Sequence, residues 1–272
     1  MQVILREALS LKGENVMKKF IALAAASVMM LSLAACNKTA ETSAAQSSAA
    51  ETSASQTSAA EDVNKKGEGV MTYAQYDAAK VDDAVVIEAY VQAKQSWWDN
   101  KATVYLADPD GAYFAYNMVC SEADYAKLVD GQKIKITGYK TEWSGETEVA
   151  EGATFEIEDG NWISSPVDLT AKFGTDELIK FQNQKFSVAD AEVTAASTYK
   201  WDGSGEQGDD LYFKVKIGDS EYTFTVESYL CGKDTEVYKT VEGLKVGQKV
   251  DMEGFLYWYE GVNPHITKVT VK

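Results

Sequence analysis

The sequence predicts a mainly β protein in which two small barrels of one kind follow each other along the chain. Three observations carry that expectation. Stretches rich in Val, Ile, Tyr and Phe alternate apolar and polar residues between Gly and Asp turns, which is the period of half-buried strands. The block Gly131-Gln132-Lys133-Ile134-Lys135-Ile136-Thr137-Gly138-Tyr139 returns as Gly247-Gln248-Lys249-Val250-Asp251-Met252-Glu253-Gly254-Phe255, with a further Gly in register at Gly145 and Gly261. Upstream of each block, and in the same order, Tyr113–Cys120 pairs with Phe224–Cys231. Self-similarity of this kind marks two copies of one structural unit.

The elements follow from the N-terminus. Residues 1–16 place Glu7 and Glu14 ahead of an apolar run and do not suit a leader, so translation is expected to start at Met17, an expectation that a precursor mass including Met1 to Val16 would refute. Over 17–36, Met17-Lys18-Lys19 is a short basic segment, Phe20–Leu33 is an apolar run short for a bilayer span, and Ala34-Ala35 are small, the order of a secretion signal. Residues 37–66 are dominated by Ala, Ser, Thr and Glu, with Ala40-Glu41-Thr42-Ser43-Ala44 repeated as Ala50-Glu51-Thr52-Ser53-Ala54. Such a stretch has almost nothing to bury and is expected to be a disordered tether.

In the first copy, 67–163, strands are expected at Ala84–Gln95, Ala102–Ala107, Ala112–Cys120, Lys133–Trp143 and Thr154–Glu158. Between the third and fourth, Ser121 and Asp124 stand as cap and acidic N3 residue of a short helix. The second copy, 164–272, is divided from the first near Ser164–Asp168 at Pro166. It gives Lys185–Ala195, Leu211–Gly218, Glu221–Leu230, Lys249–Tyr259 and His265–Val271, with helical character around Thr235–Val241. Three strands, a helix and two strands is the order of the OB-fold. The expected architecture is therefore two tandem OB-fold-like five-stranded barrels, each with a short helix, after a disordered tether.

The apolar run closes on Leu33-Ala34-Ala35-Cys36, which resembles the bacterial lipobox. Together with the tether and the G-Q-K-hydrophobic-x-hydrophobic-x-G strand, the chain resembles bacterial extracytoplasmic lipoproteins with tandem OB-fold-like domains, a largely uncharacterised family. The resemblance implies cleavage before Cys36, acylation of its sulfur, and a body facing outside the cytoplasm on the cell-envelope membrane, with membrane lipid as a partner. It implies a binding or interaction module and carries no site residues with it.

Composition narrows the chemistry. The chain has 26 Lys plus Arg against 42 Asp plus Glu, a formal net charge of -16, and Arg6 is its only arginine. Phosphate backbones are met by Lys and Arg, so nucleic acid is not expected as a partner. One His and three Cys cannot build a multi-histidine metal site or a disulfide scaffold, and His265 alone cannot serve a catalytic triad. No Walker loop, dinucleotide fingerprint or C-x-x-C is present. No catalytic residue and no cofactor is expected, and the chain reads as a non-enzyme. Cys120 and Cys231, at equivalent strand ends, are expected as buried inert thiols. Two acidic loops, Asp108-Pro109-Asp110-Gly111 and the one bearing Asp202, Asp209 and Asp210, raise the question of Ca²⁺. The first suits a turn, and the second lacks the regular spacing of a calcium loop, so no metal site is assigned.

Aromatic residues offer the sharper signal. In an OB barrel the loops joining strands one to two and four to five flank the ligand face, and both carry such residues here. Trp97, Trp98 and Trp143 lie on them in the first copy, and Trp201, Tyr257, Trp258 and Tyr259 in the second. Trp98, Trp143, Trp201, Tyr257, Trp258 and Tyr259 are the candidate ligand-binding residues, weighed against simple plugging of the barrel ends. The expected function is a membrane-anchored, non-enzymatic module binding carbohydrate or another small ligand at these loop ends. The alternative is a protein interaction or envelope-assembly module, with an envelope protein as partner. Trp162 is expected to pack at the domain junction.

Overall fold

The computed structural model describes residues 63–272, and the Met17 start, the signal segment, Cys36 and residues 37–62 of the tether lie outside the described residues. The described residues are mainly β, forming two OB-fold-like barrels in tandem. The first is entered through helix α1 (Tyr73–Ala78), whose Thr72 side chain accepts from the Gln75 N–H while the Gln75 side chain accepts from the Thr72 N–H. This reciprocal cap fixes a very short helix that nucleation alone would not sustain, and α1 buries Tyr76 against the barrel.

Barrel 1 consists of β1 (Ala84–Lys94), β2 (Lys101–Asp108), β3 (Gly111–Val119), β4 (Gln132–Trp143), β5 (Glu146–Val149) and β6 (Thr154–Asn161), with helix α2 (Glu122–Tyr125) between β3 and β4. Antiparallel pairing of β1 with β4 and parallel pairing of β3 with β5 close the sheet. The helix is shorter than the sequence implies, although Ser121 does accept from the Asp124 N–H. Barrel 2 consists of β7 (Val167–Asp168), β8 (Lys185–Tyr199), β9 (Leu211–Ile217), β10 (Ser220–Val226), β11 (Lys249–Phe255) and β12 (His265–Val271), with α3 (Glu236–Glu242) after β10. It closes in the same way, β8 on β11 and β10 parallel to β12.

Each sheet holds six strands where five were expected, for different reasons. In barrel 1 the last strand is interrupted. β5 pairs with the distal part of β4 through Lys140–Trp143, the chain turns at Gly152 (φ +87°), and β6 resumes on Gln132–Thr137 of the same strand. The expected strand Thr154–Glu158 is thus the second half of the closing strand. In barrel 2 the sixth member is β7, two residues lying parallel to β8.

The repeated glycines explain why the same block recurs. Gly131 (φ +85°) and Gly247 (φ +87°) open the fourth strand of their barrels in a backbone conformation that other residues rarely adopt. Their N–H groups donate to the equivalent carbonyls of Val91 (2.7 Å) and Val193 (2.8 Å). Gly138 and Gly254 lie where the closing strand presses on the fourth. A Cβ on Gly138 would stand 2.8 Å from the Ala153 methyl, and one on Gly254 would stand 2.1 Å from the His265 carbonyl oxygen.

Each barrel has its own apolar core, built on Val85, Ile87, Leu106, Met118 and Ile136 in barrel 1 and on Phe186, Phe213, Phe224, Val250 and Ile266 in barrel 2. A third buried cluster joins them: Tyr105 and Phe114 from barrel 1 meet Phe255 and Tyr257 from barrel 2. The Tyr105 and Phe255 rings stack with centroids 4.2 Å apart, and the Tyr105 hydroxyl lies 2.9 Å from His265 Nδ1.

Candidate binding surface

The aromatic candidates divide into two groups. Tyr257 is 3% exposed, stacked on His265 at 4.3 Å and edge-on to Phe114 at 5.5 Å. Trp143 leans on Tyr259 across the barrels with centroids 5.0 Å apart. Trp258 closes over Gly145, and its backbone N–H donates to Glu146 Oε2 at 2.8 Å. These four side chains occupy the joint between the barrels, where the β4–β5 hairpin of barrel 1 is received by barrel 2. Its tip is clasped by Gln182, donating to the Gly145 carbonyl at 2.7 Å, by Asn183, donating to Thr147 at 3.0 Å, and by the Glu260 N–H on Ser144. A ligand face was expected at these residues; the structure makes them the seal between the two copies. Trp162 packs edge-on to Tyr90 of barrel 1 at 5.7 Å.

Trp98 and Trp201 behave differently, with 47% and 63% of their surface exposed. Trp98 stands at a tight reversal, Trp98-Asp99-Asn100-Lys101, in which Asp99 and Asn100 both have positive φ and Trp98 bridges to Lys101. This left-handed pair turns the strand in two residues, and Asp and Asn tolerate it better than most. Lys101 Nζ lies 5.7 Å from the Trp98 ring and is ion-paired to Glu151 at 2.8 Å. Trp97, partly buried, donates its indole N–H to the Cys120 carbonyl and anchors the base of the loop. Trp201 follows Lys200, whose φ of +57° starts the turn of the β8–β9 loop.

That loop is stiffened by its own carboxylates. Asp202 Oδ1 accepts from the Ser204 N–H and hydroxyl, Asp209 Oδ2 accepts from the Glu206 N–H and faces Lys200 Nζ at 3.4 Å, and Asp210 Oδ1 accepts from the Ser228 N–H and hydroxyl. These bonds hold the Asp202 and Asp209 carboxyls below the usual carboxylate range, Ser204 acting on the first and the Glu206 amide on the second. The three aspartates are spent on separate partners. Among the described residues no group of three or more His, Cys, Asp or Glu side chains converges as a metal site. Asp108 is used up likewise: one oxygen accepts from the Asp110 and Gly111 N–H groups, and the other takes the Tyr113 hydroxyl and Lys66.

Between the exposed tryptophans the loops are stitched together. The Ser96 N–H of barrel 1 donates to the Tyr229 carbonyl of barrel 2 at 2.7 Å, and Gln95 donates to Glu227 at 2.7 Å. Ser228, next to Tyr229, is tied to Asp210 as above. Tyr238 accepts from the Gly208 N–H and donates to the Asp209 carbonyl. A shallow cleft of about 520 Å³ opens beside this stitching, lined by Gly208, Gly232, Lys233, Asp234 and Thr235. No signal in the sequence marked this cleft, because its walls come from two loops more than twenty residues apart that are neither aromatic nor densely charged.

No family model and no curated protein sequence matches the chain. Among solved structures, it is similar to a murine DNA-binding protein bound to double-stranded DNA, at 10% identity and a TM-score of 0.35, over 69% of this chain and 96% of that one. It is similar also to a replication protein A heterotrimer bound to single-stranded DNA, at 14% identity and a TM-score of 0.31, over 72% and 51%. A deletion mutant of the single-stranded DNA binding protein from Thermus aquaticus gives 11% identity and a TM-score of 0.24, over 70% and 93%. The proteins so named bind DNA. Two expectations are corrected by these findings: that nucleic acid is excluded as a partner, and that the module serves a carbohydrate, small-ligand, protein-interaction or envelope-assembly role. The exclusion rested on net charge and on Arg6 being the only arginine, both sums over the whole chain that do not describe the few residues at one loop end.

Proposed function

We propose that the two-barrel body is a non-enzymatic binding module that takes the unpaired bases of single-stranded nucleic acid on its exposed loop tryptophans. The observation that carries the reading is the placement of Trp98 and Trp201. Each stands in water on the loop joining the first two strands of its barrel, the place where OB-type barrels present their ligand face, while the remaining candidate aromatics are consumed in the joint. A flat indole stacks on any base without reading its sequence. The nearby positive charge is Lys101 beside Trp98, ion-paired to Glu151, and Lys200 beside Trp201, facing Asp209, so a phosphate would have to compete with these carboxylates. The net charge of -16 then requires that stacking rather than counterion release supplies the affinity.

The test is quenching of tryptophan fluorescence by a homothymidine oligonucleotide at low and moderate salt. Quenching that weakens in Trp98→Ala and Trp201→Ala is expected, with a log–log salt slope of only about -0.7 to -1.4, the value for one or two phosphate contacts on a single strand. Absence of quenching at low salt sinks the reading. We propose further that this body is carried outside the cytoplasm on a lipid anchor at Cys36, which rests on the Leu33-Ala34-Ala35-Cys36 motif alone. An intact mass from the membrane fraction that lacks residues 1–35 and begins at an acylated Cys36 supports it; an unmodified Cys36 ends it.

A further inference from the structure

The two exposed tryptophans belong to different barrels, yet their loops are linked by hydrogen bonds that cross from one barrel to the other. From Trp98 the chain runs back to Ser96, which is bonded to the Tyr229 backbone; Tyr229 itself is 46% exposed. Ser228 then leads through Asp210 into the loop that carries Trp201, and the cleft at Gly208 and Gly232–Thr235 opens alongside. A Cβ on Gly208 would lie 3.8 Å from Lys233 Cδ, so the lysine stem borders the cleft where this glycine leaves room. Three aromatic rings and one cleft thus lie along loops fastened by hydrogen bonds that cross from one barrel to the other.

We infer that the two barrels share one binding track, running from Trp98 past Tyr229 and the Lys233 cleft to Trp201, and that a single ligand strand occupies both barrels at once. This rests on the proposed base-stacking function and adds to it a stoichiometry and a length requirement. The chemistry along the track is matched to a strand with spaced bases. Trp98, Tyr229 and Trp201 offer π faces, Lys101, Lys200 and Lys233 lie on the same loops, the first two shared with Glu151 and Asp209, and Asp99 and Asp234 can accept from exocyclic amino groups. The joint makes the track stiff. The Tyr105–Phe255 stack and the Gln95–Glu227 and Ser96–Tyr229 bonds fix the spacing of the two tryptophans before any ligand arrives. Binding at one end therefore raises the local concentration of the strand at the other without a cost for ordering the barrels.

The experiment uses the full chain and homothymidine strands of about 4 to about 24 nucleotides, spanning the site sizes of one and two OB barrels. Affinity and stoichiometry are read by fluorescence and calorimetry. A shared track predicts that short strands bind weakly. Beyond a threshold length the stoichiometry becomes one strand per chain and the affinity climbs by about 10²-fold or more. It also predicts that Trp98→Ala and Trp201→Ala each abolish the length-dependent gain, whereas Trp98→Phe and Trp201→Phe, which keep a π face, preserve most of it. Unchanged circular dichroism and melting of the variants show that the fold is intact. Two independent sites, with affinity insensitive to length and two strands per chain, overturn the shared track and leave the stacking function standing. Failure of every strand to bind removes both.

Discussion

Cys120 and Cys231 follow the third strand of their barrels and are buried, and burial pushes both thiols up to about 11. A thiol near 11 is almost wholly protonated at neutral pH, and the thiolate is the reactive form. We predict that alkylating reagents leave both residues unmodified in the native chain at pH 8 and label them together on unfolding, as mass mapping would show; labelling of either in the native state refutes the burial argument. The pH dependence has a definite sign. The folded chain keeps protons that the unfolded chain releases from about pH 8.5, so these thiols favour the folded state below that pH, and the contribution is lost as pH climbs towards 11. The thiols were legible from position alone. The tryptophans were not, because a ring that seals two barrels and a ring left exposed are the same residue type at a loop end. What separates Trp143 from Trp98 is the neighbour: Tyr259 of the other barrel in the one case, and Lys101 of the same barrel at a half-exposed ring in the other.

Among the elements, the fourth and last strands of each barrel set the tightest constraint. At Gly254 an added methyl would meet a backbone oxygen at 2.1 Å, which no rotamer can relieve, while at Gly138 it would meet the side chains of Ala153 and Val149 at 2.8 and 2.9 Å. Gly254→Ala should therefore cost about 3 kcal/mol and Gly138→Ala about 1–2 kcal/mol, in the range of overpacking and strain. Urea denaturation would read both as a lowered midpoint, and an equal effect of the two would count against the close approach. Strands such as β9 could be read from their alternation, since one face is dry, whereas β2 and β3 are buried on both faces and read as apolar and aromatic runs. The break in barrel 1's closing strand, where β5 and β6 each pair with a different part of β4, could not be read. Helix α1 was legible but unread: Thr72-x-x-Gln75 is a reciprocal cap written in the sequence. The β8–β9 loop, read only as acidic and Gly-bearing, is ordered by hydrogen bonds whose donors are backbone amides that composition does not reveal.

The two barrels unfold as one body if their joint is worth as much as it looks. Four aromatic rings are buried there, and each aromatic pair adds roughly 0.5–1.5 kcal/mol beyond the area it covers. A single cooperative transition is expected for the chain by calorimetry. Tyr105→Ala, which removes the ring that both Phe255 and His265 contact, is expected to split it into two; a wild-type chain that melts in two steps would show the barrels to be independent. The bond from glycine N–H to valine carbonyl that opens the fourth strand is the same in both halves, as is the crowded glycine that follows it, whereas the closing strand, the first loop and the rings along the joint differ from one half to the other. Shared latch and divergent rim are what the two copies of the unit hold in common and what they do not: the opening of the fourth strand is kept in both, while the surfaces that meet the other barrel and the solvent differ.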